Sequence, residues 1–151
     1  VKLVRGAYIE KERARAEKMG YEDPMQKTKK NTDKDFNLAL KFCVENIDNI
    51  SFCCASHNEE STLSLIELMK ENNININDDR VYFAQLLGMS DHISMNMSKS
   101  GFNIAKYVPY GPIKDVTPYL IRRAQENTSV AGQTGRELSL ILTEQQRRKS
   151  S

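Results

Sequence analysis

Two adjacent arginines, Arg122 and Arg123, lie in the stretch IAKYVPYGPIKDVTPYLIRRAQEN, residues 104–127. Guanidinium groups are planar forks that grip a carboxylate or a phosphate bidentately, which an ammonium cannot do. The stretch reads as a buried strand, a turn at Pro109, Gly111 and Pro112, and then a helix. On a helix advancing about 100° per residue, with Tyr119 at zero, Arg123 lies about 40° to one side, Arg122 about 60° to the other and Glu126 near zero. One helix face therefore offers a phenol, two guanidinium groups and a carboxylate. Glu126, four residues after Arg122 and three after Arg123, is spaced to hold one of them in place. Ile113, Val116, Leu120 and Ala124 gather roughly 130° away and are expected to form the packing face. A solvated Arg/Glu surface satisfies the same spacing, so the rest of the chain has to decide.

The remaining candidates stand where strands end. Lys2-Leu3-Val4 is a short strand closed by Arg5-Gly6-Ala7-Tyr8, and a charged helix over residues 9–19 stops at Gly20. Lys2 and Arg5 are read as projecting to one side of that strand, where two cations facing a barrel interior or a ligand need an anionic partner. Residues 21–31 are polar and irregular, with Pro24 as a breaker, and Thr28, Lys29, Lys30 and Thr32 are candidates for phosphate contact. Thr32 or Asp33 is expected to cap a helix whose core stripe runs through Phe36, Ala39 or Leu40, Cys43 and Ile47.

Ser51 to Ala55 is the second strand, with Ser56 and His57 at its C-terminal end. Asn58 caps the helix that follows, and Glu59 and Glu60 occupy its first turn. Residues 81–85 form the third strand, leading to Leu86-Leu87-Gly88-Met89 and a helix over about residues 90–99 that Gly101 terminates. Met89, Met95 and Met97 read as core filler, and His92 as a surface or packing residue. After the arginine helix, residues 136–149 read as a short amphipathic helix with a basic tail.

Four strands alternating with helices, each a continuous apolar run, point to a parallel sheet covered on both faces. A doubly wound sheet and part of a (βα)8 barrel both meet that description. Arg5 to Tyr8, Ser56-His57, Gln85-Leu86 and Tyr107 all lie at C-terminal strand ends. A barrel gathers these ends around one mouth, whereas an open sheet spreads them along an edge, so the barrel is preferred. A complete barrel takes about 250 residues, and these 151 residues supply four of its units; the first half is expected upstream.

A net charge of +2 is too small to imply a nucleic-acid partner. The sequence has no run of apolar residues long enough to span a membrane. Cys43, Cys53 and Cys54 make no metal-binding spacing and read as buried, reduced thiols. The chain also carries no GxGxxG or Walker loop.

The motifs KLVRGAY (2–8), ASHNE (55–59), QLLGM (85–89), YVPYGP (107–112) and YLIRRAQEN (119–127) together resemble the C-terminal half of the proline dehydrogenases. YEDP (21–24) makes the eukaryotic, mitochondrial branch the nearer likeness. The resemblance implies an α/β fold, the last four or so βα units of a distorted (βα)8 TIM-like barrel. All of residues 1–151 would belong to one such FAD-dependent catalytic domain, incomplete without its first half. It also implies hydride transfer from L-proline to flavin N5, Δ1-pyrroline-5-carboxylate as product and a membrane quinone as electron acceptor. The implied location is the matrix side of the mitochondrial inner membrane, with peripheral membrane association.

By the same resemblance, Arg122 and Arg123 hold the proline carboxylate and Glu126 orients them. Tyr107, Tyr119, Tyr8 and Leu86 wall the proline ring and exclude water. Arg5, Gly6 and Ala7 contact FAD through backbone and side chain, and Ser56 and His57 contact it near the ribityl-phosphate region. Lys2 takes the place of the cation beside the flavin N5/O4 edge; bacterial members carry Arg there, so a point charge replaces a planar fork. The family's substrate-binding lysine and aspartate fall before residue 1, so this stretch alone is expected to be inactive. Two other readings suit parts of the pattern: a phosphate-binding barrel of different chemistry, and a non-enzymatic α/β module whose basic faces bind anionic surfaces or RNA.

Overall fold

The computed structural model describes residues 1–5 and 8–129, with side chains to Arg123 in the last helix, and residues 139, 142, 143 and 145–149. Gly6, Ala7, the Glu126 side chain and residues 136–138, 140, 141 and 144 of the expected tail helix thus lie outside the described residues. In order, the elements are β1 (Lys2–Val4), α1 (Ile9–Met19), α2 (Lys29–Glu45), β2 (Phe52–Ala55), α3 (Glu59–Glu71), β3 (Val81–Leu86), α4 (Asp91–Lys99), β4 (Ile104–Tyr107) and α5 (Ile113–Ser129). Two compact units result, Val1–Tyr107 and Val108–Ser151, and each is described by itself.

In the first unit the four strands are all parallel and run β1-β2-β3-β4 across the sheet. A doubly wound sheet would reverse direction at a switch point; these strands keep sequence order, as consecutive βα units of a barrel do. Side chains alternate between faces. Leu3, Phe52, Cys54, Val81, Phe83 and Ile104 face the helices and join Phe36, Leu40, Leu65, Met69, Ile93 and Met97 in one apolar core. The ring of Phe83 meets that of Phe102 edge-on at 5.7 Å.

The caps explain where the helices begin. Asn58 Oδ1 accepts from the Ser61 amide at 2.8 Å, with Glu59 and Glu60 in the first turn of α3. For α2, the cap is Thr28, whose hydroxyl accepts from the Asn31 amide at 3.2 Å. Neither Thr32 nor Asp33 serves, and the helix starts a turn earlier than the apolar stripe suggests. Its first turn is Lys-Lys-Asn-Thr, which contributes nothing to the core and so leaves no periodic trace. Gly20 closes α1 in the left-handed conformation at φ 71°.

In the second unit, α5 carries Pro118 near its start. Of its expected packing face, Val116 is half-buried, whereas Ile113 and Leu120 are exposed. Within this unit, then, the described residues bury the expected stripe only in part, at Val116.

Candidate active site

The sheet face away from the helix layer carries Lys2, Val4, Cys53, Ala55, Tyr82, Ala84, Leu86, Ala105 and Tyr107, by the registers Lys2↔Cys53↔Tyr82 and Leu86↔Tyr107. Lys2 and Tyr107 sit on the two outer strands and at opposite ends of them. In a flat sheet three strand spacings and four residues would separate their Cα atoms by roughly 20 Å. Yet the Lys2 ammonium lies 4.9 Å from the centroid of the Tyr107 ring. The sheet is therefore curled, concave on this face, as barrel strands must be. Ala55, Ala84 and Ala105 form one row across its floor, where larger side chains would fill the hollow. A hollow with a small-residue floor and a cation at its edge suits a planar, electron-accepting ring.

The other face is polar at its C-terminal end. The row after Val4↔Ala55↔Ala84↔Ala105 is Arg5, Ser56, Gln85 and Lys106, and each binds a loop or helix start beyond the strands. Lys106 Nζ donates to Met89 O at 2.9 Å and pairs with Asp91 at 2.7 Å. Buried Gln85 donates to Ser56 O at 3.3 Å and accepts from Ser94 Oγ at 2.8 Å. Ser56 Oγ accepts from the Asn58 amide at 3.1 Å.

Arg5 belongs to this belt, which corrects the expectation that it shares a side with Lys2. The two residues are three positions apart, an odd interval, and in a strand an odd interval changes face. Its guanidinium pairs with Asp33 at 2.9 Å, donates to Ser61 Oγ at 2.5 Å and lies 4.5 Å from the Phe36 ring centroid. Burial lowers its pKa, and Asp33 opposes that shift. The Arg5 side chain thus clamps β1 to α2 and α3, turned away from the hollow; only its main chain remains available to a ligand there.

Around the mouth, His57 Nδ1 and Ser90 Oγ share a hydrogen bond at 3.0 Å, and His92 Nε2 pairs with Glu59 at 2.9 Å. His92 is thus a link between α3 and α4 that spacing in the sequence does not reveal. Leu86, the last residue of β3, is buried on the concave side. Tyr8 is exposed, in the left-handed conformation at φ 61°, with the Lys11 ammonium 5.7 Å from its ring. In the second unit, the Arg123 guanidinium lies 5.3 Å from the Tyr119 ring, one turn earlier on α5, and Arg122 is exposed.

Comparison with known proteins gives this arrangement its relatives. A family described as proline dehydrogenase matches residues 1–136. The human protein named "Proline dehydrogenase 1, mitochondrial" is 44% identical over 150 residues, covering 97% of this chain and 25% of that protein. Human "Hydroxyproline dehydrogenase" is 43% identical over 152 residues, covering 98% and 33%. The chain thus spans a quarter to a third of the length of these relatives. Among solved structures, proline utilization A from Bdellovibrio bacteriovorus inactivated by N-propargylglycine superposes with a TM-score of 0.77 at 32% identity, over 87% of this chain and 14% of that one. Proline utilization A of Bradyrhizobium japonicum follows with a TM-score of 0.70 at 26% identity, over 85% and 13%. The fold is α/β, built of successive units of a TIM-barrel-like fold, and the chain belongs to the proline dehydrogenase family.

Proposed function

We propose that the protein carrying this chain oxidises L-proline to Δ1-pyrroline-5-carboxylate and passes the electrons to a membrane quinone. The observation that carries the reading is the curled sheet of a proline dehydrogenase family member, with Lys2 held over Tyr107 above a floor of alanines. Residues 1–151 form part of one barrel domain whose other strands lie elsewhere in the protein. FAD, when bound, supplies the two-electron acceptor for the hydride leaving proline C5, while the deprotonated ring nitrogen forms the C=N bond.

The chain's own residues bind, orient and exclude water. Arg122 and Arg123 take the substrate carboxylate as a bidentate pair, with Glu126 orienting them. Tyr107, Tyr119, Tyr8 and Leu86 wall the ring and keep water from the hydride path. Lys2 places a positive charge at the edge of the isoalloxazine, where electron density accumulates on reduction. The main chain of Arg5, with Gly6 and Ala7, together with Ser56 and His57, holds the remainder of the cofactor. The same reading puts the protein on the matrix side of the mitochondrial inner membrane, in peripheral association with it; relatives named mitochondrial support the organelle. A nucleic-acid partner forms no part of this reading.

The test is an absorbance spectrum of the complete protein before and after anaerobic addition of L-proline, with hydroxyproline in parallel because relatives of both names lie within a few per cent identity. A flavin band that proline or hydroxyproline bleaches supports the reading. Arg122→Met with Arg123→Met should keep the band and lose bleaching at the same substrate concentration. A colourless protein that FAD cannot reconstitute overturns it.

A further inference from the structure

Ser90 and Tyr8 are the residues around the mouth held in the left-handed conformation, and of the two Ser90 is the buried one. It is 2% exposed and holds φ 51°, ψ 42°, a left-handed conformation that costs a residue other than glycine free energy. It caps α4 without using its side chain for the cap. Its hydroxyl turns instead to His57 Nδ1 at 3.0 Å. The single Ser94 hydroxyl proton goes chiefly to Gln85 Oε1 at 2.8 Å, with the Ser90 carbonyl at 3.3 Å as the weaker second acceptor of a shared donation, and Gln85 Nε2 donates to Ser56 O at 3.3 Å. Lys106 braces the loop on either side of Ser90, through Met89 O and Asp91.

These bonds close a circuit. It leaves β2 at the Ser56 carbonyl, crosses β3 and α4 through Gln85, Ser94 and Ser90, and returns at the side chain of the next residue, His57. Ser56, Gln85, Ser90 and Ser94 are buried and His57 is half-buried, and a network of this kind narrows the geometries open to its members. The left-handed backbone of Ser90 and the contact of its hydroxyl with the His57 ring occur together at this one position.

We propose that Ser90 is a positioning residue for His57, fixing the imidazole from the far side of the β2–α3 loop so that the ring is preset for the FAD ribityl-phosphate region. This rests on the function proposed above. Gln85 and Ser94 act through Ser90, and none of the three touches the ligand.

The test uses the complete protein, stripped of flavin and titrated with FAD, in four forms: wild type, Ser90→Gly, His57→Ala and the double variant. Glycine is favoured at φ 51°, so Ser90→Gly should hold or raise the thermal midpoint, whereas a merely structural hydroxyl would lower it on removal. FAD affinity should nonetheless fall about three- to tenfold, the worth of one hydrogen bond that presets a contact. The double variant should bind no more weakly than His57→Ala, because Ser90 acts through that ring. Ser90→Gly binding FAD as wild type does, or losses that add in the double variant, overturns the inference while leaving the proposed function standing. Wild-type protein that takes up no FAD overturns the proposed function, and with it the ligand assigned to His57.

Discussion

Arg5→Met is the substitution that tests the polar belt most directly. Methionine retains much of the aliphatic stem and removes the guanidinium. The lost contacts are the Asp33 pair at 2.9 Å, the Ser61 bond at 2.5 Å and the stacking over Phe36 at 4.5 Å. Stripping one partner from a fully buried ion pair costs about 3–5 kcal/mol. Three features reduce that figure. The side chains of Arg5 and Asp33 are 15% and 27% exposed. Asp33 keeps Lys29 at 2.6 Å, and Ser61 keeps Asn37 at 2.7 Å. Arg5 Nε is buried without a hydrogen-bond partner, so its removal relieves a desolvation cost of about 1 kcal/mol.

A net loss of about 2 kcal/mol remains, equivalent to a thermal midpoint lower by about 4–8 °C for a domain of this size. Arg5→Lys, which keeps the charge and loses the fork, should cost about half as much. The assay is thermal and urea unfolding of Arg5→Met, Asp33→Leu and the double variant, where a coupling near 1 kcal/mol is expected. A midpoint within about 1 °C of wild type for Arg5→Met, or strictly additive losses, would refute the clamp.

Two further outcomes follow from the thiols and from one surface pair. Iodoacetamide at mildly alkaline pH should label Cys53 first, as read by peptide mass spectrometry. Cys53 is half-buried, and although burial raises its pKa, Lys2 draws it down; Cys43 and Cys54 are 4% and 1% exposed, and burial pushes the Cys54 thiol up to about 12. Faster labelling of Cys54 would contradict the register of β2. The Asp78 carboxyl is held at about 2, against an ordinary 3.8, chiefly by hydrogen bonds from Arg80. A carboxyl lowered on folding stabilises above its unfolded pKa and loses that contribution as pH falls through the folded one. Asp78→Asn should therefore lower stability by up to about 1 kcal/mol at neutral pH, and the difference from wild type should vanish as pH falls from about 4 to about 2. A difference that persists at the acid end would assign the effect to packing.

Much of this fold is written locally. The largely apolar stretches 52–55, 81–86 and 104–107 become strands, with Gln85 and Lys106 falling on the polar belt and burial alternating along β2 and β4. Asn58 caps α3 and Gly20 ends α1, since capping depends on only three or four neighbouring residues. The arginine pair and Tyr119 share a helix by spacing alone, and five ordered motifs carry the family likeness. The start of α2 was not legible, because its first turn places no residue in the apolar core and an amphipathic period cannot mark it.

What tertiary structure decided is which residues meet across elements. That Lys2 reaches Tyr107 depends on the curl of four strands, a property of the sheet and not of any segment. That Arg5 serves the helix layer follows from strand parity, but its partners Asp33 and Ser61 are 28 and 56 residues away and are chosen by packing. Ser90 shows no sign in sequence of a left-handed backbone or of His57 as its partner, 33 residues earlier. Local order comes from short-range propensity and periodicity. The site's second layer comes from long-range register, for which a linear pattern holds no record.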